Sequence, residues 1–266
     1  MTQRLGRADL HIHTLASDGT AGVAEVLEVV ETRTELDVIA ITDHERVDAA
    51  LAARAMARDR GDRVEVVVGE EVTTLGGHLL ALWIERPVKP FRSMRTTIAE
   101  IHDQGGLAIP AHPLVPYPLC AQGFVLRRLL ADEPRFRPDA IEAFNPTTLG
   151  RPWHDRVVRF AEEHGLARVG SSDAHASSAI GAGYTTFAGP AGVHDGAALR
   201  TAILDRATHE HGTFHPTGAQ LTTFGAQLRK YGRDVRADLG ARLRGDGAGR
   251  DLGYPTEAAP RERTGS

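Results

Sequence analysis

The sequence predicts an α/β fold with a largely parallel sheet, arranged either as a barrel or as a doubly wound sheet. Short apolar runs rich in β-branched residues alternate with segments of helical periodicity over roughly 200 residues. The length of 266 residues suits one large domain, or one domain with an appendage. With 41% apolar and 25% charged residues, the composition is that of a soluble globular protein.

Strands and helices are predicted in alternation from the first motif onward. The run ADLHIHT at 8–14 is the first strand, and the segment 23–30 carries apolar residues at i, i+3, i+4 and i+7. Gly76 and Gly77 separate two apolar runs, which predicts a hairpin. The predicted strands are 8–14, 36–44, 64–74, 77–84, 106–113, 139–145, 167–175 and 183–189; the predicted helices are 23–30, 47–61 (ending at Gly61), 93–105, 122–131, 152–165 and 195–204.

Composition narrows the class of protein further. A net charge of -4 and a pI near 6.4 give no bulk attraction to nucleic acid or to an anionic membrane. Cys120 is the one cysteine, which excludes an internal disulfide and a thiolate metal cluster. Because no apolar run resembles a signal peptide or approaches membrane-spanning length, we expect a cytoplasmic protein.

The C-terminal part departs from the strand–helix alternation. We expect the main domain to span 5–205 and the segment 206–231 to form a helical extension. The segment 232–266 is rich in Gly, Arg and Asp and has one aromatic residue, so it cannot bury much apolar surface. Its arginines are interleaved with acids, which favours a solvated, disordered tail over a nucleic-acid arm.

The first strand carries polar residues where an apolar face is expected. Regular alternation would place Asp9, His11 and His13 on one face and Leu10 and Ile12 on the other. Polar groups on a buried face need partners, and a metal ion is a suitable partner for two imidazoles. Asp9 is predicted to orient a ligand rather than to be one.

Further residues able to bind a metal follow the later strands. In α/β barrels and open sheets the C-terminal ends of the strands converge on one face, so these side chains should meet there. A set with nitrogen and oxygen ligands and no sulfur suits Mn, Fe or Zn, and its size indicates two or three metals that share carboxylates. The set is His11, His13, Asp18, His44, Glu70, Glu71, His78, His112, Asp173 and His175.

The motifs resemble those of the PHP (polymerase and histidinol phosphatase) family, most closely its small stand-alone phosphoesterases, including those that act on nucleotides. The resemblance spans residues 5–205 and implies a single domain, a distorted TIM-like (β/α)7 barrel, with a centre of three divalent metal ions at its C-terminal rim. It rests on His11-x-His13 with Asp18, Thr-Asp-His at 42–44, Gly69-x-Glu71, His78, Ala-His-Pro at 111–113 and Ser-Asp-Ala-His at 172–175, all in the family's order.

The resemblance also implies how the ligands divide among the metals. Alternation allows only one of Glu70 and Glu71 to point inward, and the family's Gly-x-Glu pattern selects Glu71 as the bridging ligand. A hydroxide between the metals would attack phosphorus, and His175 or a metal-bound water would protonate the leaving alkoxide. The implied first metal has His11, His13, Glu71 and Asp173; the second has Glu71, His78 and His112; and the third has Asp18, His44 and His175.

The resemblance therefore implies a phosphomonoesterase for a small phosphorylated metabolite or nucleotide. Asp173 and His175 are the catalytic candidates, and Arg46, Asn145 and Arg151 are candidate substrate contacts near strand ends. The sequence departs from the family at Glu45, where Asp is frequent, and in a short segment between His112 and Asp173, which leaves the substrate open.

Three alternatives stay open beside this reading. One is an exonuclease for short RNA or DNA ends, and another is a non-catalytic metal-binding module. A third is an amidohydrolase with a bridging carbamylated lysine, but the two lysines, Lys89 and Lys230, do not follow predicted strands. Six further histidines are assigned surface or packing roles: His102, His154, His164, His209, His211 and His215.

Overall fold

The computed structural model describes residues 4–117, 119–146 and 151–214. Strands and helices alternate along most of this part of the chain, as the sequence predicts. The strands are β1 Gly6–Ile12, β2 Val38–Ile41, β3 Glu65–Thr74, β4 Gly77–Leu82, β5 Leu107–Pro110, β6 Ala140–Phe144, β7 Ala167–Gly170, β8 Gly183–Phe187 and β9 Thr208–Gly212. The α-helices are α1 Val23–Arg33, α2 Asp48–Arg60, α3 Met94–Asp103, α4 Gly123–Leu130, α5 Arg151–His164 and α6 Gly196–Leu204.

The helix ends follow local sequence signals. Ser93 is the N-cap residue of α3, and its side chain accepts a hydrogen bond from the Thr96 amide. Asp195 caps α6 in the same way, with its side chain accepting a hydrogen bond from the Ala198 amide. Helix α2 ends at Arg60, and Gly61 takes the left-handed conformation with φ 69°. The predicted end of that helix at Gly61 is therefore confirmed.

The sheet is mixed, so the prediction of a largely parallel sheet was wrong. Seven strands are hydrogen-bonded in the order β5-β4-β3-β2-β1-β8-β9, and β6 pairs separately with β7. Among the described strands, the parallel pairs are β1–β2, β2–β3 and β6–β7, and the other four pairs are antiparallel. The predicted hairpin at Gly76 and Gly77 joins β3 to β4, and so short a connection permits only antiparallel pairing.

The strands curl around a common apolar interior. A buried cluster contains residues from each of β1 to β8, and Leu199 and Ile203 of α6 belong to the same cluster. A second cluster packs the outer faces of the strands against the helices. The described strands fall into two hydrogen-bonded sheets, a curled half-barrel and a two-stranded sheet, rather than the complete (β/α)7 barrel that the resemblance implied.

Strand β1 contains an irregularity that changes which side chains face inward. Its register with β2 shifts between Asp9 and Ile12. Leu10 belongs to the inner cluster, whereas Ile12 packs in the outer one. The prediction that Leu10 and Ile12 share a face was therefore wrong, because a bulge resets the alternation just before the histidines.

The segment after α6 differs from the sequence prediction. Residues 208–212 lie in the segment 206–231 predicted as a helical extension, but they form strand β9, antiparallel to β8. The predicted helix beyond residue 214 and the predicted tail at 232–266 lie outside the described residues. Among the helices that the structure describes, none combines the length and apolar character needed to cross a membrane.

His102 is more constrained than the predicted surface position. On α3, its Nδ1 lies 2.8 Å from the carbonyl oxygen of Arg135, and its Nε2 lies 2.9 Å from Asp139 Oδ2. Two acceptors on one ring favour the imidazolium, which has two N–H donors. The hydrogen bond with Asp139 is the main reason that the pKa of His102 is raised above its ordinary value.

His102→Gln should therefore reduce stability in a pH-dependent way. A raised folded-state pKa gives stabilisation that is complete below the ordinary histidine pKa of about 6.5 and is lost as the pH rises through the folded-state pKa. We expect the free energy of unfolding to fall by about 1–2 kcal/mol near pH 5.5 and by less at pH 9, measured by urea denaturation. His209→Gln, an exposed change on β9, is the matched control. Equal losses of unfolding free energy at both pH values for His102→Gln would contradict a charged His102 in the folded state.

Candidate metal centre

The predicted metal-binding residues meet at one end of the curled sheet. His11 lies in β1 next to its last residue, and His13 follows that strand. His44 follows β2, and Asp173 follows β7. Bridges between Ile12 and Ala174 and between His44 and Glu71 hold these strand ends side by side. The convergence follows from the parallel run of β1, β2 and β3, whose carboxyl ends lie at the same edge.

Glu71 occupies the centre of the cluster and is 1% exposed. Its two carboxylate oxygens face imidazoles contributed by several strands and loops. Oε2 lies 3.2 Å from His11 Nε2, 3.3 Å from His13 Nε2 and 3.4 Å from His44 Nδ1, and Oε1 lies 2.7 Å from His78 Nδ1 and 3.1 Å from His112 Nε2.

Two aspartates extend the cluster on either side of His13. Asp173 Oδ1 lies 3.3 Å from His13 Nε2 and 3.5 Å from both His11 Nε2 and His175 Nδ1. Asp18 lies 3.3 Å from His13 Nδ1 and 3.1 Å from His175 Nε2. His44 Nε2 is 3.7 Å from Asp18, so it links the Asp18 side of the cluster to Glu71.

The donors form three overlapping groups, each able to offer ligand atoms within 4.8 Å of one another. Sharing of His13 and His44 between groups indicates more than one cation position. The groups are His13 with Asp18, His44 and His175; His11 with His13 and Asp173; and His44 with Glu71 and His78. His112 adjoins the last group through Glu71.

Several buried nitrogens have the environment expected of metal ligands. Among the described residues, no hydrogen-bond partner reaches the buried atoms His11 Nε2, His13 Nε2 and His78 Nδ1, although each faces a carboxylate oxygen. His11 Nδ1 hydrogen-bonds Glu142, so its N–H is used there and the Nε2 lone pair points at Glu71. A lone pair aimed at a carboxylate is repulsive unless a cation or a second proton on the ring lies between them. The donor set therefore fits divalent metal ions.

The electrostatics keep the central carboxylates ionised. Burial opposes the charge on Glu71, yet His78, His11 and His44 hold its pKa well below the ordinary value. Burial likewise opposes the charge on Asp173, and His11 and His13 lower its pKa. Burial lowers the pKa of His44 to about 4, which favours the neutral, metal-binding form of its ring.

The backbone is strained at two of the donors. Asp173 has φ 51° and His112 has φ 31°, in a region that non-glycine residues seldom adopt. Such conformations persist where surrounding contacts hold them, and they cluster at functional sites. Glu142 accepts a hydrogen bond from the His112 amide, and Asn145 donates to Asp173 Oδ2.

Sequence reasoning missed two of the carboxylates that hold the donors. Glu142 of β6 lies 3.0 Å from His11 Nδ1, and a lone acid inside an apolar strand was the available signal. Asp43 accepts hydrogen bonds from the Thr14 amide and hydroxyl and from the Ser17 hydroxyl, which orders the loop after β1. Asp43 belongs to the Thr-Asp-His motif at 42–44, and Glu142 lies in the predicted strand 139–145.

Asp9 and Cys120 also support the cluster. Asp9 accepts hydrogen bonds from the Ser172 and Gly181 amides, each 2.9 Å long, so it orders the backbone after β7 rather than a histidine ring. Burial raises its pKa to about 6. The Cys120 sulfur lies 3.3 Å from His112 Nδ1, on the side of that ring opposite Glu71.

Glu70 points away from the donors, as the alternation on β3 predicts. Its Oε1 accepts a hydrogen bond from the Val88 amide, and burial raises its pKa well above the ordinary value. Glu45, the departure from the family pattern, is also turned away and accepts from the Thr73 amide. Burial raises its pKa to about 7.

The candidate substrate contacts occupy different environments. Arg46 pairs with Asp48 and donates to the Ala16 carbonyl near the loop after β1. Asn145 is 2% exposed, and its Nδ2 donates to Glu142 and Asp173. Arg151 is the first residue of α5, and its side chain is outside the described part. A substrate contact at any of the three remains a prediction.

None of the described histidines assigned to surface or packing roles belongs to the three donor groups. His154 Nδ1 donates to the Ala143 carbonyl at 2.8 Å. His211 stacks on Tyr184 and hydrogen-bonds Thr186 Oγ1 at 2.8 Å, whereas His209 is exposed on β9. His164 is exposed at the end of α5, and His215 is outside the described residues.

The two adjacent glutamates should respond differently to loss of charge. Glu71→Gln removes the negative charge that five imidazoles face, and an amide is a poor bridge between cations. We expect it to weaken metal binding by at least about tenfold. Glu70→Gln should retain the metal, because the raised pKa of Glu70 already favours a neutral side chain. The test is the amount of metal bound per purified chain, measured by mass spectrometry. Depletion of metal in Glu70→Gln rather than in Glu71→Gln would contradict this prediction.

Comparisons with known proteins agree with the motifs. A family described as PHP-associated matches residues 151–208. An uncharacterized protein of Methanocaldococcus jannaschii is 33% identical over 121 residues, which cover 41% of this chain and 69% of that protein.

Solved structures share the fold at low identity. A two-domain protein from Bacteroides vulgatus, described as containing a predicted PHP-like metal-dependent phosphoesterase, aligns with a TM-score of 0.65 and 18% identity over 80% of this chain and 66% of its own. This chain thus spans about two thirds of that protein. An amidohydrolase from Chromobacterium violaceum, solved with sulfate and no metal, aligns with a TM-score of 0.55 and 18% identity over 75% of this chain and 96% of its own. Residues 151–208 therefore match a PHP-associated family, the ordered histidine and carboxylate motifs resemble those of the PHP family, and the solved structures show a shared fold.

Proposed function

We propose that this chain hydrolyses phosphate monoesters of a small metabolite or nucleotide, with divalent metal ions held by the cluster around Glu71. The observation that carries the proposal is the single buried carboxylate faced by five imidazole nitrogens, with Asp18 and Asp173 alongside. Nitrogen and oxygen donors of this kind suit Mn, Fe or Zn.

The overlapping donor groups support a centre of three ions. His11, His13, Glu71 and Asp173 would hold the first; Glu71, His78 and His112 the second; and Asp18, His44 and His175 the third. The contacts of His13 with Asp18 and of His44 with Glu71 support an arrangement in which these positions adjoin one another. When bound, such ions lower the pKa of a coordinated water and neutralise charge on phosphoryl oxygens.

The chain itself orients the imidazoles. Nδ1 of His11 donates to Glu142, and Nδ1 of His175 lies 2.9 Å from the Asp173 carbonyl oxygen. With the N–H on Nδ1, each ring presents its Nε2 lone pair to the cluster. Glu142 and the strained backbone at Asp173 therefore set the direction of the ligand atoms before any substrate binds.

Differences in exposure divide the cluster into a closed floor and an open side. The floor consists of His11, His13 and Glu71, whose side chains are 0–2% exposed. On the open side, the side chain of His44 is 27% exposed. The side chains of His112, Asp18 and His175 there are 12–14% exposed. We propose that substrate approaches from this open side, with its leaving group next to His175.

Amide hydrolysis is the rival chemistry within enzymes, because one structural neighbour is an amidohydrolase. Fold alone does not choose between the two reactions. A carbamylated lysine would have to reach the donors, but Lys89 lies in the connection between β4 and α3, and Lys230 lies outside the described residues. The donors that meet at Glu71 therefore favour a bridge made by a glutamate.

Metal removal tests the proposal directly. Chelation should abolish hydrolysis of a panel of phosphorylated metabolites, nucleotides and short oligonucleotides, and Mn²⁺, Fe²⁺ or Zn²⁺ should restore it. Glu71→Gln should not be restored at the same metal concentration. Full activity in a metal-free preparation would contradict the proposal. Turnover of oligonucleotide ends alone would favour the exonuclease, and no turnover after metal loading would favour a non-catalytic module.

Proton donation by His175 predicts a dependence on the leaving group. An alkoxide needs a proton as it departs, whereas p-nitrophenolate departs readily without one. We expect His175→Gln to slow hydrolysis of alkyl phosphates at least about tenfold more than hydrolysis of p-nitrophenyl phosphate. Equal losses for both esters would indicate that His175 acts only through the metal, and the metal content of the variant provides the control.

A further inference from the structure

A second polar cavity lies outside the donor cluster, between α4 and α5. It has a volume of about 370 Å³, and its walls include the guanidinium groups of Arg127, Arg156 and Arg159. Phe124 lies at its edge and is 70% exposed. Glu163 is the one acidic residue in the lining, so the cavity is positively charged.

The arginines of this cavity have no acidic partner among the described residues, whereas several other arginines do. Arg46, Arg54 and Arg95 each form an ion pair with a carboxylate within 2.6 Å. Within the described residues, no such ion pair involves Arg127, Arg156 or Arg159. Arg156 instead lies over the ring of Trp153, at 5.6 Å. Within the described part of the chain, three guanidinium groups are therefore without a carboxylate partner.

The first turn of α4 contributes backbone donors to the same cavity. Gln122 precedes the helix, but its side chain donates to the Val115 and Cys120 carbonyls and does not cap the helix. In the part of the chain that the structure describes, the amides of Gly123 and Phe124 have no acceptor. Arg127 folds back toward them, with its Nη1 3.2 Å from the position that a β-carbon on Gly123 would occupy.

We propose that this cavity binds the phosphoryl group of a phosphorylated ligand, at a site separate from the metal centre. Uncapped amides at a helix N-terminus and unpaired guanidinium forks are the donors that phosphate oxygens require. The two donor types converge here from different helices, and neither depends on a bound metal. We name these residues the arginine pocket: Gly123, Phe124, Arg127, Arg156 and Arg159.

The arginine pocket lies beyond the wall of the metal centre. Trp153 and Val157 of α5 line a small cavity with His112 and Asn145, next to the donors. Arg159 lies six residues beyond Trp153, which is about 9 Å along a helix. The phosphoryl group bound there belongs either to a remote part of the substrate or to a separate ligand. The first of these two possibilities rests on the proposed function.

Binding of inorganic phosphate tests the site without reference to catalysis. Calorimetric titration of the full chain, both metal-loaded and after chelation, should detect a phosphate site that survives chelation. Arg127→Gln combined with Arg159→Gln should weaken that site by at least about tenfold. Arg128→Gln is the matched control, since Arg128 is also exposed on α4 but lies outside the pocket lining. Glu163→Gln should strengthen binding, and Phe124→Ala should leave it unchanged.

Two results would overturn the proposal. One is undiminished phosphate binding in the double arginine variant. The other is an equal loss in Arg128→Gln, which would indicate an effect of net charge alone. Kinetics then identify the source: an increased KM with unchanged kcat, only for substrates with a second phosphate, indicates the remote part of the substrate. If no ester is hydrolysed, the calorimetric result still decides the binding site.

Discussion

A buried carboxylate surrounded by imidazoles is the interaction on which the rest of this structure depends. Glu71 is almost fully removed from water, and an isolated charge there would be strongly unfavourable. It is compensated by ring nitrogens from β1, β4 and the segments that follow β1, β2 and β5. Because these ligands come from different strands, the strand ends must lie at one edge of the sheet. Removal of one charged or polar member of such a cluster leaves the buried charge of the others uncompensated, so few other arrangements of these side chains are stable.

The backbone around the cluster is shaped to meet this requirement. The bulge in β1 turns both histidines inward while Ile12 packs against the helices. Asp173 and His112 have positive φ angles, and hydrogen bonds from Asn145 and to Glu142 hold these loops. Asp9 and Asp43 order the loops that follow β7 and β1. The strain is local, and buried carboxylates that accept backbone hydrogen bonds sustain it.

The two ends of the curled sheet have opposite characters. One end is filled with apolar side chains and covered by α6, whose Leu199 and Ile203 complete the inner cluster. The other end holds the charged donors, closed at His11, His13 and Glu71 and open at His44. A rigid apolar interior beneath a polar site keeps the ligand atoms in place, since packed cores deform little. Helix α5 extends from the wall of this site to the arginine pocket, so a single helix is in contact with both.

The identity of the donors and their position at strand ends could be predicted from the sequence, because ligand chemistry depends on residue type and strand ends on local periodicity. The end of α2 at Gly61 follows from an equally local signal, whereas the choice of Glu71 over Glu70 came from the resemblance to the family's Gly-x-Glu pattern. The pairing of His11 with Glu142, 131 residues away, was decided only by the tertiary structure. So were the burial of Asn145, the antiparallel strand β9 and the meeting of Arg127 with Arg159. The bulge in β1 explains this limit: alternation assumes a regular ladder, and one inserted residue reverses every face after it, which only the contacts with neighbouring strands can specify.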